Sequence, residues 1–292
     1  MIFVRDALRS TPRRALWGVL RGAQIGLVCA VALAISTPAI HAATPAPHTA
    51  TATAPPRPAL EPKALQILKA AGAKLAGAHM LAFTAIELFE SSSRQGHPLA
   101  YTNKYLVVMQ RPDKLRVTIT ADGPASDFYY SGQTMTAYAA GENFVATAPA
   151  PPTIDGALKA AYAAADIYFP FSDVLVTDPY GDMAKSLKLA YYIGQSKVVG
   201  DTTTDMVAIA GNGVFEQVWI GTDDQLPRMI RAVFLNDPER LRHELVFSDW
   251  QLDQPVAADA FTPVIPADAK HIPFKRPGQR PTAQPSPAPK PH

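Results

Sequence analysis

The stretch Val107-Val-Met-Gln-Arg-Pro-Asp-Lys-Leu-Arg-Val-Thr-Ile-Thr120, "VVMQRPDKLRVTIT", reads as two strands meeting at a proline corner. After the corner, Leu115, Val117 and Ile119 alternate with Arg116, Thr118 and Thr120, the period of a strand with one buried face. Before it, Tyr105, Val107 and Met109 share one parity, and Arg111 continues that parity directly ahead of Pro112. A guanidinium on the apolar side of a strand end has two readings. It is either a rim residue bonded to its own turn, or a group aimed at whatever covers the sheet.

Working outward, the same periodicity recurs on both sides. Pro62 suits a first helical turn, with Leu65, Leu68 and Leu75 on one face. "MLAFTAIELF", a turn at "SSSRQGHP", and "LAYTNKYLVVMQ" then read as strands. Short turns at "ADGPAS", "SGQ" and "AGEN" separate strands around Phe128, Met135 and Phe144, the spacing of an antiparallel meander. After "APAPP", Thr153 and Asp155 are placed to cap a helix through "ALKAAYAAAD". The segment "IYFPFSDVLVTDPYGDMAKSL", broken by Pro170, Pro179 and Gly181, predicts short helical pieces. Strands resume at "KLAYYIGQSKVVG", "TDMVAIAG", "VFEQVWIG", "PRMIRAVFL" and "RLRHELVFSDWQL".

The predicted order is therefore one helix, about six strands, a helical insertion and about five strands. This is an α+β fold built on a large curved antiparallel sheet whose concave face the helices cover. A closed barrel of lipocalin type, with the helices outside, satisfies the same order.

The termini belong to no such core. Residues 1–42 combine a basic leader, a short apolar run and "TPAIHAA", and are expected to be a cleaved signal peptide. The run of roughly 14 residues falls short of the about 20 that span a bilayer. Arg13-Arg14 leaves twin-arginine export open beside the general route. The single cysteine, Cys29, lies inside this segment, so the mature chain is expected to have no disulfide. Residues 43–59 and 275–292 are rich in proline and read as a linker and a disordered basic tail, leaving 60–274 as the domain. The chain's 27 basic and 25 acidic residues nearly cancel, but 60–274 holds 17 basic against 24 acidic. An acidic body argues against nucleic-acid binding.

Catalytic chemistry is hard to find. No pair of histidines among His48, His79, His97, His243, His271 and His292 has metal-ligand spacing. Asp173, Asp178 and Asp182 invite a calcium or hydrolase reading around Asp178 and Asp182, yet acids beside Pro and Gly are ordinary turn and cap residues. No cofactor or metal is expected. What remains is an apolar and aromatic surplus: Tyr105, Val107, Met109, Leu115, Val117, Phe128, Tyr130, Tyr138, Phe144, Phe169 and Phe171, with Tyr168, Tyr191, Trp219 and Trp250 adding rings. Such residues either fill a core or line an apolar cavity with a few polar groups.

The order of elements, "QRPDKLRV", "FSDWQL" and the closing "AFTPVIPADA" resemble the LolA/LolB-like periplasmic carrier superfamily. "SDVLVTDPYGDM", "YYIGQSKVVGDTTTDMVAI", "VWIGTDDQLPRMI" and "ELVFSDWQLDQPVAADAFTPVIP" are similar to a domain-of-unknown-function family of predicted periplasmic proteins within it. The resemblance spans Leu60 to Phe274. It implies an unclosed barrel lidded by helices and a carrier of a hydrophobic small molecule, lipid or lipoprotein acyl chain. With the signal peptide and the missing catalytic motifs, a periplasmic, non-catalytic protein is expected, acting as a monomer. It also implies that Arg111 faces the cavity and bonds to the lid. The closer family often carries a Cys-His pair before the strand that here reads Met206 to Ile209; this chain has Thr204-Asp205. The competing expectations are an envelope protein–protein interaction module with a filled core, and the hydrolase.

Overall fold

The computed structural model describes residues 59–121 and 125–276. The expected signal peptide, nearly all of the linker and the tail beyond Arg276 lie outside the described residues. Twelve strands form one sheet. The first half is a meander of β1 (Met80–Ser92), β2 (Pro98–Gln110), β3 (Lys114–Ala121), β4 (Ser126–Ser131), β5 (Thr134–Ala139) and β6 (Phe144–Pro149). The second is β7 (Leu187–Ser196), β8 (Thr204–Gly211), β9 (Val214–Gly221), β10 (Pro227–Phe234) and β11 (Arg242–Leu252), and the two-residue β12 (Lys270–His271) follows. The spatial order is β12-β6-β5-β4-β3-β2-β1-β11-β10-β9-β8-β7, so the two meanders join where β1 meets β11.

The sheet is unclosed, which disposes of the lipocalin-type alternative. β7 and β12 stand at opposite ends and do not pair with each other. Each edge instead carries a short parallel cover. Ala59 and Glu61 bond to both main-chain groups of Ala190 in β7 at 2.8 Å, and β12 lies parallel to β6. Covering an edge blunts its tendency to pair with another chain. The turns use residues that tolerate left-handed backbone. Asn212 and Gly213 have φ of 50° and 78°, the two-residue hairpin geometry that matches strand twist.

Four helices cover one face. α1 (Pro62–Gly77) starts at a proline and buries Ala64, Leu68, Ala71 and Leu75, one stripe of a 3.6-residue repeat. Part of that stripe packs on Ala190, Val207, Ile209, Val218 and Ile220 of β7 to β9. α2 (Ile154–Ala165) is capped by Thr153, whose hydroxyl accepts from Gly156 N at 3.1 Å. Asp155, expected as a second cap, reaches elsewhere. The short α3 (Ser172–Leu175) and α4 (Pro179–Ala184) complete the layer. Gly72 permits the contact between α1 and α4, since a Cβ there would lie 2.6 Å from Tyr180 Cβ.

Register defines the two faces. Leu81, Phe83, Ala85 and Glu87 of β1 oppose Met109, Val107, Tyr105 and Asn103 of β2, and these point toward the helices. Their neighbours Ile86 and Leu106 point outward and are exposed. Phe83 sits at the centre of the inner layer, with ring centroids 5.4 Å from Phe171, 5.7 Å from Phe247 and 4.7 Å from Trp250. Phe83→Ala is expected to destabilise the domain by about 3–5 kcal/mol, the usual cost of emptying a buried ring site, as measured by urea denaturation.

Candidate functional site

Arg111 follows the last residue of β2, joined to Pro112 by a cis peptide bond. Its own N–H donates to His79 O at 2.8 Å, which pins the corner to the end of α1. The guanidinium donates from Nε to Ala78 O at 3.1 Å and from Nη1 to Leu175 O at 3.1 Å. Nη2 reaches Val176 O at 3.1 Å and Leu75 O at 3.5 Å. Leu75 and Ala78 are the last turn and cap of α1; Leu175 and Val176 are the last residue and cap of α3. Helix C-termini present carbonyls with no partner in the helix, and the dipole concentrates negative potential there. One planar cation thus satisfies the ends of two helices, which a point-like ammonium with three donors would do poorly. Burial lowers the guanidinium pKa, and the Asp155 carboxylate opposes that shift. Asp155 in turn accepts from Thr177 N at 3.1 Å and Thr177 Oγ1 at 3.2 Å, tying α2 to the link between α3 and α4.

Beneath this fastening lie most of the aromatic and apolar residues singled out in the sequence. Tyr105, Val107, Met109, Leu115, Val117, Phe128, Tyr130, Phe169 and Phe171 are buried in one continuous cluster. Phe171 meets Tyr105 edge-on at 5.1 Å, Phe169 meets Phe128 at 5.3 Å, and Phe169 stacks on Phe171 at 5.7 Å. Tyr130 spans the layers, its hydroxyl donating to Pro151 O at 2.6 Å. Two residues sit elsewhere. Tyr138 opposes Asp127 and Val145, on the outer face, and its hydroxyl donates to Asn143 Oδ1. Met135 and Tyr138 are three apart in one strand, so they cannot share a face, and Met135 holds the inner one. Phe144 is half-buried opposite Ala139 and beside β12, at the margin and outside that cluster.

A polar group in the inner layer escaped the sequence reading. Glu87 is buried and accepts from Tyr105 Oη at 2.7 Å and Asn103 Nδ2 at 3.0 Å. Burial raises its pKa, while those two bonds pull the other way. Glu216 of β9 lies between Ala232 and Ile209 on the same face, since its neighbour Val218 opposes Ile230. Burial, then the like charge of Asp173, push its carboxyl up to about 7. Tyr168 stands among these groups: burial first, then Asp173, Glu87, Glu216 and Tyr105, raise its phenol. His243 stands between Phe89 and Phe234, with centroids 6.1 and 5.2 Å away, and burial lowers its pKa. The signal for Glu87 was present in "FTAIELF", where it shares parity with Phe83 and Ala85.

The carboxylates of the hydrolase reading have structural partners. Asp178 caps α4, accepting from Gly181 N at 2.9 Å, and Asp182 pairs with Lys185 at 2.6 Å. Among the described residues no group of three His, Cys, Asp or Glu is arranged to hold a metal ion.

Over residues 64–275 the chain matches the family described as predicted periplasmic protein (DUF2092), and it belongs to that family. Among solved structures it is similar to the Mycobacterium tuberculosis lipoprotein LppX, with 13% identity, TM-score 0.44, and coverage of 68% of this chain and 100% of that one. It is also similar to LprF from Mycobacterium bovis, with 15% identity, TM-score 0.40, and coverage of 73% and 100%. A lipoprotein-sorting protein domain from Vibrio parahaemolyticus, described as a putative outer membrane one, has 10% identity, TM-score 0.34, and coverage of 68% and 96%. No functionally curated sequence matches the chain. Among the described residues no helix is long and apolar enough to cross a membrane.

Glu87 supplies a test of the inner layer. A carboxyl whose pKa is raised on folding favours the folded state below its ordinary range, and this contribution is lost as pH rises through the shifted value. The stability of Glu87→Gln relative to the parent should therefore increase as pH rises above the ordinary carboxylate range. Urea denaturation at acidic and at neutral pH measures it, and a constant difference would mean that Glu87 titrates normally.

Proposed function

We propose that the chain is a periplasmic, non-catalytic carrier or binding protein for a lipid-like ligand, exported by a cleaved signal peptide and acting as a monomer. The observation that carries this reading is the fastening of α1 and α3 to the sheet through Arg111, above an inner face that is apolar and aromatic. Beside that apolar packing, the fastening at Arg111 is one guanidinium on backbone carbonyls, and it can be released without breaking a strand. A phosphate or carboxylate on an incoming ligand offers the same guanidinium a charged, bidentate acceptor. With the helices displaced, Tyr105, Val107, Met109, Leu115, Val117 and Phe128 of the sheet, faced by Phe169 and Phe171 of the helical layer, become the lining of an apolar site.

A second reading, an envelope interaction module with a filled core, draws on the direct ring contacts of Phe169 and Phe171 with the sheet. The two readings separate in one experiment. Protein purified from its periplasm is examined by native mass spectrometry and lipid extraction; the carrier reading expects co-purified lipid, and its absence favours the filled module. In parallel, Arg111→Leu should speed amide hydrogen exchange in α3 and the last turn of α1 by roughly tenfold or more, because local opening costs less once the fastening is gone. Unchanged exchange would reduce Arg111 to a corner residue.

A further inference from the structure

Arg111 and Asp155 meet on one peptide group. Arg111 Nη2 donates to Val176 O at 3.1 Å, and the N–H of that same peptide, from Thr177, donates to Asp155 Oδ1 at 3.1 Å. A trans peptide points its C=O and N–H in opposite directions, so a cation and a carboxylate face each other across one neutral plane. The Thr177 hydroxyl brings Asp155 a second donor at 3.2 Å. Both charged groups belong to the frame. Arg111 is pinned through its own N–H to His79 O. Asp155 is pinned because Ile154 N donates to Pro112 O at 3.0 Å and Tyr130 Oη to Pro151 O at 2.6 Å, which ties the start of α2 to the corner and to β4. Val176 and Thr177 instead lie in the link between α3 and α4, with Val176 buried and Thr177 exposed, at the rim of the apolar layer. Release of α3 withdraws an acceptor from Arg111 and two donors from Asp155 together. Opposite charges then face each other across the vacated slot.

We propose that this slot binds the head group of a zwitterionic phospholipid, its phosphate on Arg111 and its protonated amine on Asp155, with the acyl chain in the aromatic layer beneath. The assignment rests on the carrier reading and names the head-group class. A neutral peptide and a net-neutral zwitterion fit the slot in the same sense, but the zwitterion makes both bonds charge-assisted, and such bonds are about twice as strong as neutral ones. A phosphate with no amine satisfies Arg111 and meets Asp155 as a like charge. A primary ammonium carries three donors, enough to replace the two that Thr177 takes away, whereas trimethylammonium carries none. The head group is thus a phosphoethanolamine, and phosphocholine and phosphoglycerol are discriminated against.

The test uses the purified protein and three lysophospholipids with one myristoyl chain, below their micellar concentrations at neutral pH: the ethanolamine, choline and glycerol forms. Calorimetry should find the ethanolamine form bound about fivefold or more tighter than the other two, the scale of one ion pair at a partly exposed rim. Asp155→Asn keeps an acceptor for Thr177 and removes the charge. It should bring the ethanolamine and choline forms within about twofold of each other and raise the glycerol form relative to the ethanolamine form. A merely loosened α2 would shift all three together. The choline or glycerol form binding the parent protein as tightly as the ethanolamine form, or a preference that survives Asp155→Asn, would overturn the zwitterion assignment while the carrier reading stands. Failure of all three to bind would remove both.

Discussion

A single guanidinium meets the carbonyl ends of two helices, and the arrangement of the helical layer depends on that contact. The C-termini of α1 and α3 would otherwise bury carbonyls against an apolar sheet, where each unpaired acceptor costs on the order of 1–3 kcal/mol. Arg111 answers this from a fixed position, because its backbone N–H is bonded to His79 O and its strand is the second of the central pair. The bond is also reversible in a way that an apolar contact is not. Its acceptors are neutral carbonyls, and an anion competes well with neutral acceptors for a half-buried cation.

The inner layer divides into two zones with different chemistry. Near Arg111 it is a close aromatic cluster in which Phe83, Tyr105, Phe128, Phe169 and Phe171 touch edge-on or stacked. Farther along the same strands it turns polar, with Glu87 held by Tyr105 and Asn103, and with Glu216 and Tyr168 beyond. Tyr105 belongs to both, its ring in the cluster and its hydroxyl on Glu87.

Much of the fold was legible because strands announce their faces locally. Leu115, Val117 and Ile119 alternate without exception, and the turn residues between hairpins mark where the alternation restarts. The helical insertion was visible through Thr153 and the prolines that interrupt it. Tyr138 was misplaced because a ring was counted without its parity relative to Met135. The parity of Glu87 with Phe83 and Ala85 places it on the apolar face, but whether that face meets water or a helix is set by residues distant in the chain.

The sequence by itself determined the strand periods, the proline corner and the position of Arg111 at a strand end on the apolar side. These depend on neighbours one to four residues away. Closure of the sheet was decided by tertiary structure alone, since β7 and β6 pair with the short parallel segments Ala59 to Glu61 and Lys270 to His271 and not with each other. The partners of Arg111 were also decided there: Leu75, Ala78, Leu175 and Val176 lie 33 to 65 residues from it along the chain. Backbone carbonyls carry no signature of residue type. A guanidinium that bonds to them leaves no trace in sequence of what it holds, and only the meeting of two helix ends over one strand end reveals it.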